Sequence, residues 1–135
     1  MRIEIKTIVD ANVQDVWNCW TDPQHIVKWN FASPDWHTTS ATNDIRVGGQ
    51  FSSRMEAKDG SFGFDFAGIY TKVEPHQLLE YQLGDVRTVQ VLFQAQNDQT
   101  EVIESFDAET QHDVEMQRAG WQAILNNFKT YVENR

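Results

Sequence analysis

Hairpin signals in the middle of the chain constrain its fold more than any other feature. Between residues 39 and 107, alternating apolar and polar runs are separated by short turn-forming segments at 58–60, 84–85 and 97–99. Asp, Asn and Gly between such runs are typical of β-hairpins, and successive hairpins build a continuous antiparallel sheet. We therefore predict five strands after Gly48-Gly49, and the segments before that pair extend the sheet to about six or seven strands.

Helical patterns flank this region. Segment 10–20 has apolar residues at three-to-four spacing after a capping residue, either Asp10 or Asn12, and Pro23 suits the first turn of a second short helix. Segment 112–135 predicts a long amphipathic helix, and about 22 helical residues reach roughly 33 Å, enough to cross a whole sheet. This order predicts an α+β fold in which the sheet curls around the last helix.

Two glycine positions have specific expected roles. Gly48-Gly49 precedes a strand rather than a helix and lacks the spacing of a phosphate loop, so it predicts a sharp bend between strands. Gly120 stands inside the last helix, where glycine costs about 1 kcal/mol relative to alanine. We expect a close backbone approach beside Trp121, with a tolerated surface glycine as the alternative.

Composition excludes several classes of protein. The 135 residues include 20 acidic and 11 basic ones, a net charge of −9, and no cluster of Lys and Arg that would bind nucleic acid. Cys19 is the single cysteine, which rules out an intramolecular disulfide and fits a cytoplasmic location. No apolar run reaches the 18 residues of a membrane span. We expect one domain over residues 1–135.

Catalytic motifs are scarce. The four histidines stand in four different segments, so we expect no metal site and no cofactor, and no G-x-S-x-G motif occurs. Acid–base chemistry needs only one or two ionisable groups in an apolar cavity. The candidates are Asp35, His37, Arg54, Asp65 and Tyr81, and alternation with Phe64 and Phe66 places Asp65 on the solvent side.

Aromatic residues make up 12% of the chain and fall on shared strand faces. Phe62, Phe64 and Phe66 occupy one face of a strand, and Phe51 shares a face with Met55 on the strand before it. They could fill an ordinary core, or some could line a ligand pocket, since such pockets have apolar and aromatic walls. Both interpretations stay open.

Four segments carry a resemblance to a known family: "WTDPQHIVKW", "DIRVGGQF", "DGSFGFDFAGIYTKVEP" and "EMQRAGWQAILNNFKTYVE". In this order they resemble the START-like helix-grip domains of the SRPBCC superfamily, in the branch related to the C-terminal domain of the ATPase activator of the ninety-kilodalton heat-shock chaperone. The resemblance implies a curved antiparallel sheet around a long C-terminal helix, with two short helices after the first strand, and a cavity between sheet and helix.

The resemblance also implies a choice of functions. Members of the superfamily bind lipids, polyketides or plant hormones, or act as aromatase-cyclases. We expect a binding domain for a small apolar or aromatic molecule rather than an enzyme, with a cyclase- or hydrolase-like enzyme as the alternative. A protein–protein role is the third hypothesis, as a homodimer or through a chaperone. The activator's N-terminal domain, which makes the main chaperone contact in that family, has no counterpart in these 135 residues, and this counts against a chaperone contact.

The candidate cavity residues lie on strand faces and on the inward face of the last helix, and four of them, Trp29, Phe31, Trp36 and His37, are expected to form one lip of the cavity. They are Trp29, Phe31, Trp36, His37, Phe51, Met55, Phe62, Phe64, Phe66, Tyr81, Trp121 and Leu125.

Overall fold

A seven-stranded antiparallel sheet curls into a half-barrel around a long C-terminal helix in the computed structural model, which describes residues 1–84 and 86–135. The predicted α+β helix-grip fold is confirmed. Strand order across the sheet is β1-β7-β6-β5-β4-β3-β2, so β1 and β2 form its edges. The elements are β1 (Arg2–Val9), α1 (Val13–Thr21), α2 (Pro23–Trp29), β2 (Trp36–Asn43), β3 (Gln50–Ala57), β4 (Gly63–Glu74), β5 (Leu78–Leu83), β6 (Thr88–Gln96), β7 (Gln99–Asp107) and α3 (Val114–Glu133).

The predicted hairpins account for the continuous meander from β3 to β7. Gly60, with φ of +78°, lies in the turn between β3 and β4, and Asn97, with φ of +60°, lies between β6 and β7. The second predicted turn includes Asp85, which lies outside the described residues. The strands on either side of it, β5 and β6, pair antiparallel.

Side-chain caps fix where the helices begin. The Asn12 side chain accepts a hydrogen bond from the Asp15 N–H (3.0 Å) at the start of α1. Asp22 caps α2 in front of Pro23, which occupies the first turn as expected. Asp113 caps α3 by accepting from the first backbone N–H groups of that helix. None of the described helices is long and apolar enough to cross a membrane.

Helix α3 packs its apolar face against the concave side of the sheet and against the short helices. Leu125 and Phe128 are fully buried, and the Phe128 ring contacts the rings of Trp20 and Trp29 at centroid distances of 4.9 and 4.8 Å. The expected close backbone approach at Gly120 is wrong. A methyl group there would meet no atom within 4 Å, because this turn of the helix faces open space.

The Gly48-Gly49 bend joins β2 to β3, as predicted. Gly48 has φ of +84°, a conformation that residues with a side chain rarely adopt. Its N–H donates to the Tyr70 carbonyl (2.8 Å), and the Tyr70 N–H donates to the Gly49 carbonyl (2.9 Å). The bend therefore holds the middle of β4 through two backbone hydrogen bonds, which fixes the position of Tyr70 on the concave face.

Candidate ligand cavity

A cavity of about 430 Å³ lies between the concave face of the sheet and helices α2 and α3. This volume is in the range of small-molecule sites, roughly 300–1,000 Å³. The lining is mostly apolar, with a few polar groups on the sheet and at the end next to α3. Its residues are Trp20, Ile26, Trp29, Asn30, Thr42, Asn43, Phe51, Ser53, Met55, Phe64, Phe66, Tyr70, Tyr81, Leu83, Arg87, Glu104, Glu109, His112, Trp121 and Ile124.

Aromatic rings form two opposite walls of the cavity. On the helix side, Trp121 stacks on Phe106 of β7, with ring centroids 3.9 Å apart and planes within 10°. On the sheet side, Phe51 meets Tyr81 edge-on at 4.7 Å and Phe66 at 5.9 Å. The Phe66 ring is also edge-on to Trp121 at 6.0 Å. The two walls therefore come close together at Phe66.

Gly68 makes room for one of these rings. It is paired with Phe51 across β3 and β4, and a Cβ at Gly68 would lie 2.7 Å from Cε2 of the Phe51 ring. A glycine in a strand commonly marks such a close approach. Its missing side chain lets the Phe51 ring lie over the strand and reach Tyr81.

Two tyrosine hydroxyls and an amide give the sheet wall its polar character. The Tyr70 hydroxyl donates to Asn43 Oδ1 (2.7 Å), and Asn43 Nδ2 donates to the Thr21 carbonyl at the end of α1 (2.8 Å). Burial raises the pKa of both Tyr70 and Tyr81 well above the usual value for a tyrosine. Both hydroxyls therefore stay protonated at neutral pH.

Glu104 is the most unusual residue of the lining. It lies in the middle of β7, is 6% exposed, and is paired with Ile5 on one side and Val91 on the other, both buried. None of the described residues forms a hydrogen bond or ion pair with its carboxyl group. Burial raises the pKa of this carboxyl to about 8, and its negative charge in turn contributes to the raised pKa of Tyr81.

Glu104 was missed among the candidate site residues, although the sequence contains a signal for it. In "TEVIESFD", Thr100, Val102, Glu104 and Phe106 share one strand face, and all four are buried. A glutamate between two apolar residues at i−2 and i+2 is the pattern of an inward-facing carboxyl.

Seven of the twelve predicted cavity residues line the cavity, namely Trp29, Phe51, Met55, Phe64, Phe66, Tyr81 and Trp121. The other five, Phe31, Trp36, His37, Phe62 and Leu125, do not. Leu125 is buried in the core instead, and the Phe31 carbonyl accepts a hydrogen bond from Asn127 of α3 (3.0 Å). His37 pairs with Glu56 across β2 and β3, on the face that carries the surface ion pairs. Trp36 and Phe62 form an aromatic cluster with Phe64 at the end of the sheet, and 61% of Phe62 is exposed.

The predicted acid–base candidates are mostly outside the cavity. Asp35 and Asp65 are exposed, and Asp65 lies on the solvent side, as predicted. Arg54 makes an ion pair with Glu56 (2.9 Å) and a longer one with Asp65 (3.5 Å) on that outer face. Tyr81 is the one member of that set that lines the cavity.

The loop before α3 brings further ionisable groups to the lining. His112 Nδ1 lies 2.6 Å from Glu109 Oε1, and both residues border the cavity. In residues 1–84 and 86–135, no group of three or more His, Cys, Asp or Glu side chains is arranged to hold a metal ion.

Comparisons with known proteins place this fold in a family. The family model described as Activator of Hsp90 ATPase homolog 1-like protein matches residues 10–133. The solution structure of an AHSA1-like protein from Aeromonas hydrophila is 48% identical, covers 99% of this chain and 93% of its own, and has a TM-score of 0.93. A solution structure from Cytophaga hutchinsonii is 47% identical, covers 98% and 92%, and has a TM-score of 0.85.

More distant structures share the fold alone. A crystal structure from Nitrosomonas europaea is 20% identical over 99% of this chain and 95% of its own, with a TM-score of 0.85. No curated protein matches the chain. Because the family match covers nearly the whole length, the chain belongs to the family of Activator of Hsp90 ATPase homolog 1-like proteins.

Proposed function

We propose that this protein is a binding domain that holds a small apolar or aromatic molecule in the cavity between the sheet and α3. The observation that carries the proposal is an aromatic-walled space of about 430 Å³ inside a domain whose family fold suits ligand binding. Apolar walls with a few placed polar groups are the usual composition of such sites. Cys19 is buried and forms no disulfide, which is consistent with a cytoplasmic location.

Ring contacts also support this proposal. Trp121 is only half-buried although it stacks on Phe106, so one face of a large aromatic side chain is left for a ligand. Phe66 and Ile124 are likewise half-buried and border the same space. A two-ring aromatic molecule would remove these surfaces from water, and each Å² of apolar area buried stabilises the complex by about 25 cal/mol.

Calorimetric titration with 2-naphthylmethanol, a neutral two-ring probe, tests the proposal in a way that locates the site. Ile124→Trp places extra bulk in the cavity, and Met116→Trp, on the exposed side of the same helix, is the matched control. We expect saturable binding to the parent and to Met116→Trp, and at least tenfold weaker binding to Ile124→Trp. Equal binding by all three proteins, or no binding to any, would overturn the proposal.

One observation favours a second candidate, proton-transfer catalysis of the cyclase or hydrolase type. A carboxyl with a pKa near neutrality in an apolar cavity suits a general acid or base, and Glu104 has this character with Tyr81 nearby. Incubation with cyclisable polyketide-like ketones and with aryl esters distinguishes the enzyme from the binding domain. Mass spectrometry of the recovered compounds shows whether they have been converted. Conversion that depends on Glu104 would establish an enzyme. Compounds that bind but are recovered unchanged would support the binding-domain proposal instead.

A further inference from the structure

Two polar groups that line the cavity have no partner in the described protein. The Glu104 carboxyl and the Tyr81 hydroxyl each belong to a side chain only 6% exposed, and among residues 1–84 and 86–135 neither makes a hydrogen bond. Among the described residues no fully buried side-chain oxygen or nitrogen lacks a hydrogen-bond partner, so the unpaired oxygens of Glu104 and Tyr81 are accessible from the cavity that they line. These two groups are therefore placed to receive a ligand.

We propose, building on the function above, that the cavity selects an aromatic amine-bearing molecule whose protonated nitrogen pairs with Glu104 and whose rings lie against Trp121 and Phe66. An ammonium group has three N–H donors and no acceptor. It can donate to a Glu104 carboxylate oxygen and to the Tyr81 hydroxyl oxygen at once. The paired charge also offsets part of the cost of ionising Glu104 in an apolar space.

The surrounding rings favour a cation as well. Phe106 follows Glu104 by two positions on the same strand face, and Trp121 stacks on Phe106. Tyr81 is close enough to Glu104 for the carboxylate charge to raise the pKa of the tyrosine. The faces of aromatic rings attract cations, and aromatic cages around ammonium groups are a common use of this attraction. An anionic head group gains nothing from these ring faces, and it would also meet the net charge of −9 on the chain.

Other ionisable groups of the lining come from separate elements. Tyr70 of β4 donates to Asn43, and its raised pKa keeps it neutral. Arg87 precedes β6 and also lines the cavity, and burial is the cause of the raised pKa of Glu104. Glu109 and His112 lie together before α3. Helices α1, α2 and α3 contribute only apolar and aromatic side chains to the lining.

Three naphthalene compounds that differ only in head group test the selection: 2-naphthylmethylamine, 2-naphthylmethanol and 2-naphthoic acid. We expect the amine to bind the parent protein at least tenfold more tightly than the alcohol, and the acid to bind most weakly. Glu104→Gln should weaken amine binding by roughly 10- to 100-fold, a clearly larger factor than its effect on alcohol binding. Glu101→Gln is the matched control, because it removes the same charge from the outer face of the same strand.

Calorimetry in buffers with different ionisation enthalpies adds a second readout on the parent protein. At pH 7 the empty Glu104 is mostly protonated, so binding of a cation should release about one proton per molecule. Alcohol binding as tight as amine binding, or amine binding that Glu104→Gln leaves unchanged, would overturn the selection and leave the binding function intact. Failure of all three compounds to bind would overturn both.

Discussion

At the scale of single residues, Glu104 couples the stability of the fold to pH. Its pKa is about 8 in the folded protein against an ordinary 4.5, so the folded state keeps a proton that the unfolded chain gives up. The contribution of Glu104 to the free energy of unfolding is therefore most favourable below pH 4.5, and this contribution declines as the pH rises toward 8. The loss at pH 7 is roughly 3 kcal/mol.

Glu104→Gln should remove this dependence. We expect the gain in unfolding free energy of the variant over the parent, measured by urea denaturation, to grow between pH 4.5 and 8 and then level off. Glu101→Gln, half-buried on the opposite face of β7, should show no such growth. A Glu104→Gln difference that stays constant from pH 4.5 to 9 would show that the carboxyl is not buried as described.

Residue identities were predicted where one strand face was strongly apolar and missed where it was mixed. Phe51, Met55 and Phe66 stand on faces with a clear alternation, and the structure places them on the cavity. Glu104 shares its face with Thr100, Val102 and Phe106, while Ile103 stands on the other face. Alternation alone does not say which of two such faces is concave, because that depends on the curl of the whole sheet.

At the scale of elements, two glycines separate the effect of backbone conformation from that of packing. Neither Gly48 in the β2–β3 bend nor Gly120 in α3 has an atom within 4 Å of an added Cβ, yet only Gly48 has a positive φ, +84°. Gly48→Ala should cost about 1–2 kcal/mol. Gly120→Ala should stabilise by up to about 1 kcal/mol, since alanine is the better helix former.

Urea denaturation of the two alanine variants at one pH measures both effects, and m-values equal to the parent's would confirm that the unfolding transition itself is unchanged. Shifts of the same sign in both variants would contradict the backbone conformation assigned to one of them.

Capping and turn residues in the sequence predicted where elements begin and turn, but the sequence did not predict how far each element extends over the core. Asn12, Pro23 and the turn at Gly60 set starts and turns that are visible in the sequence. Phe62 has the right alternation for the inner face, yet it precedes β4, which begins at Gly63, and is 61% exposed. How far α3 covers the sheet depends on tertiary packing, which no local pattern contains.

At the scale of the whole molecule, the cavity exists because the sheet curls and α3 lies across it. Its lining comes from all three helices, from strands β2, β3, β4, β5 and β7, and from residues of the connecting loops. The family resemblance predicted such a space, while its volume could be seen only in the folded chain. The rings of Trp36, Phe62 and Phe64 form a second aromatic surface at the end of the sheet.

Intermolecular NOEs between bound 2-naphthylmethanol and the protein's aromatic side chains test the central claim most directly, because they separate the two aromatic surfaces. Binding in the cavity predicts NOEs from the probe to the rings of Trp121 and Phe66, which lie 6.0 Å apart, and none to Trp36 or Phe62. NOEs confined to Trp36 and Phe62 would contradict the account and assign binding to the exposed end of the sheet.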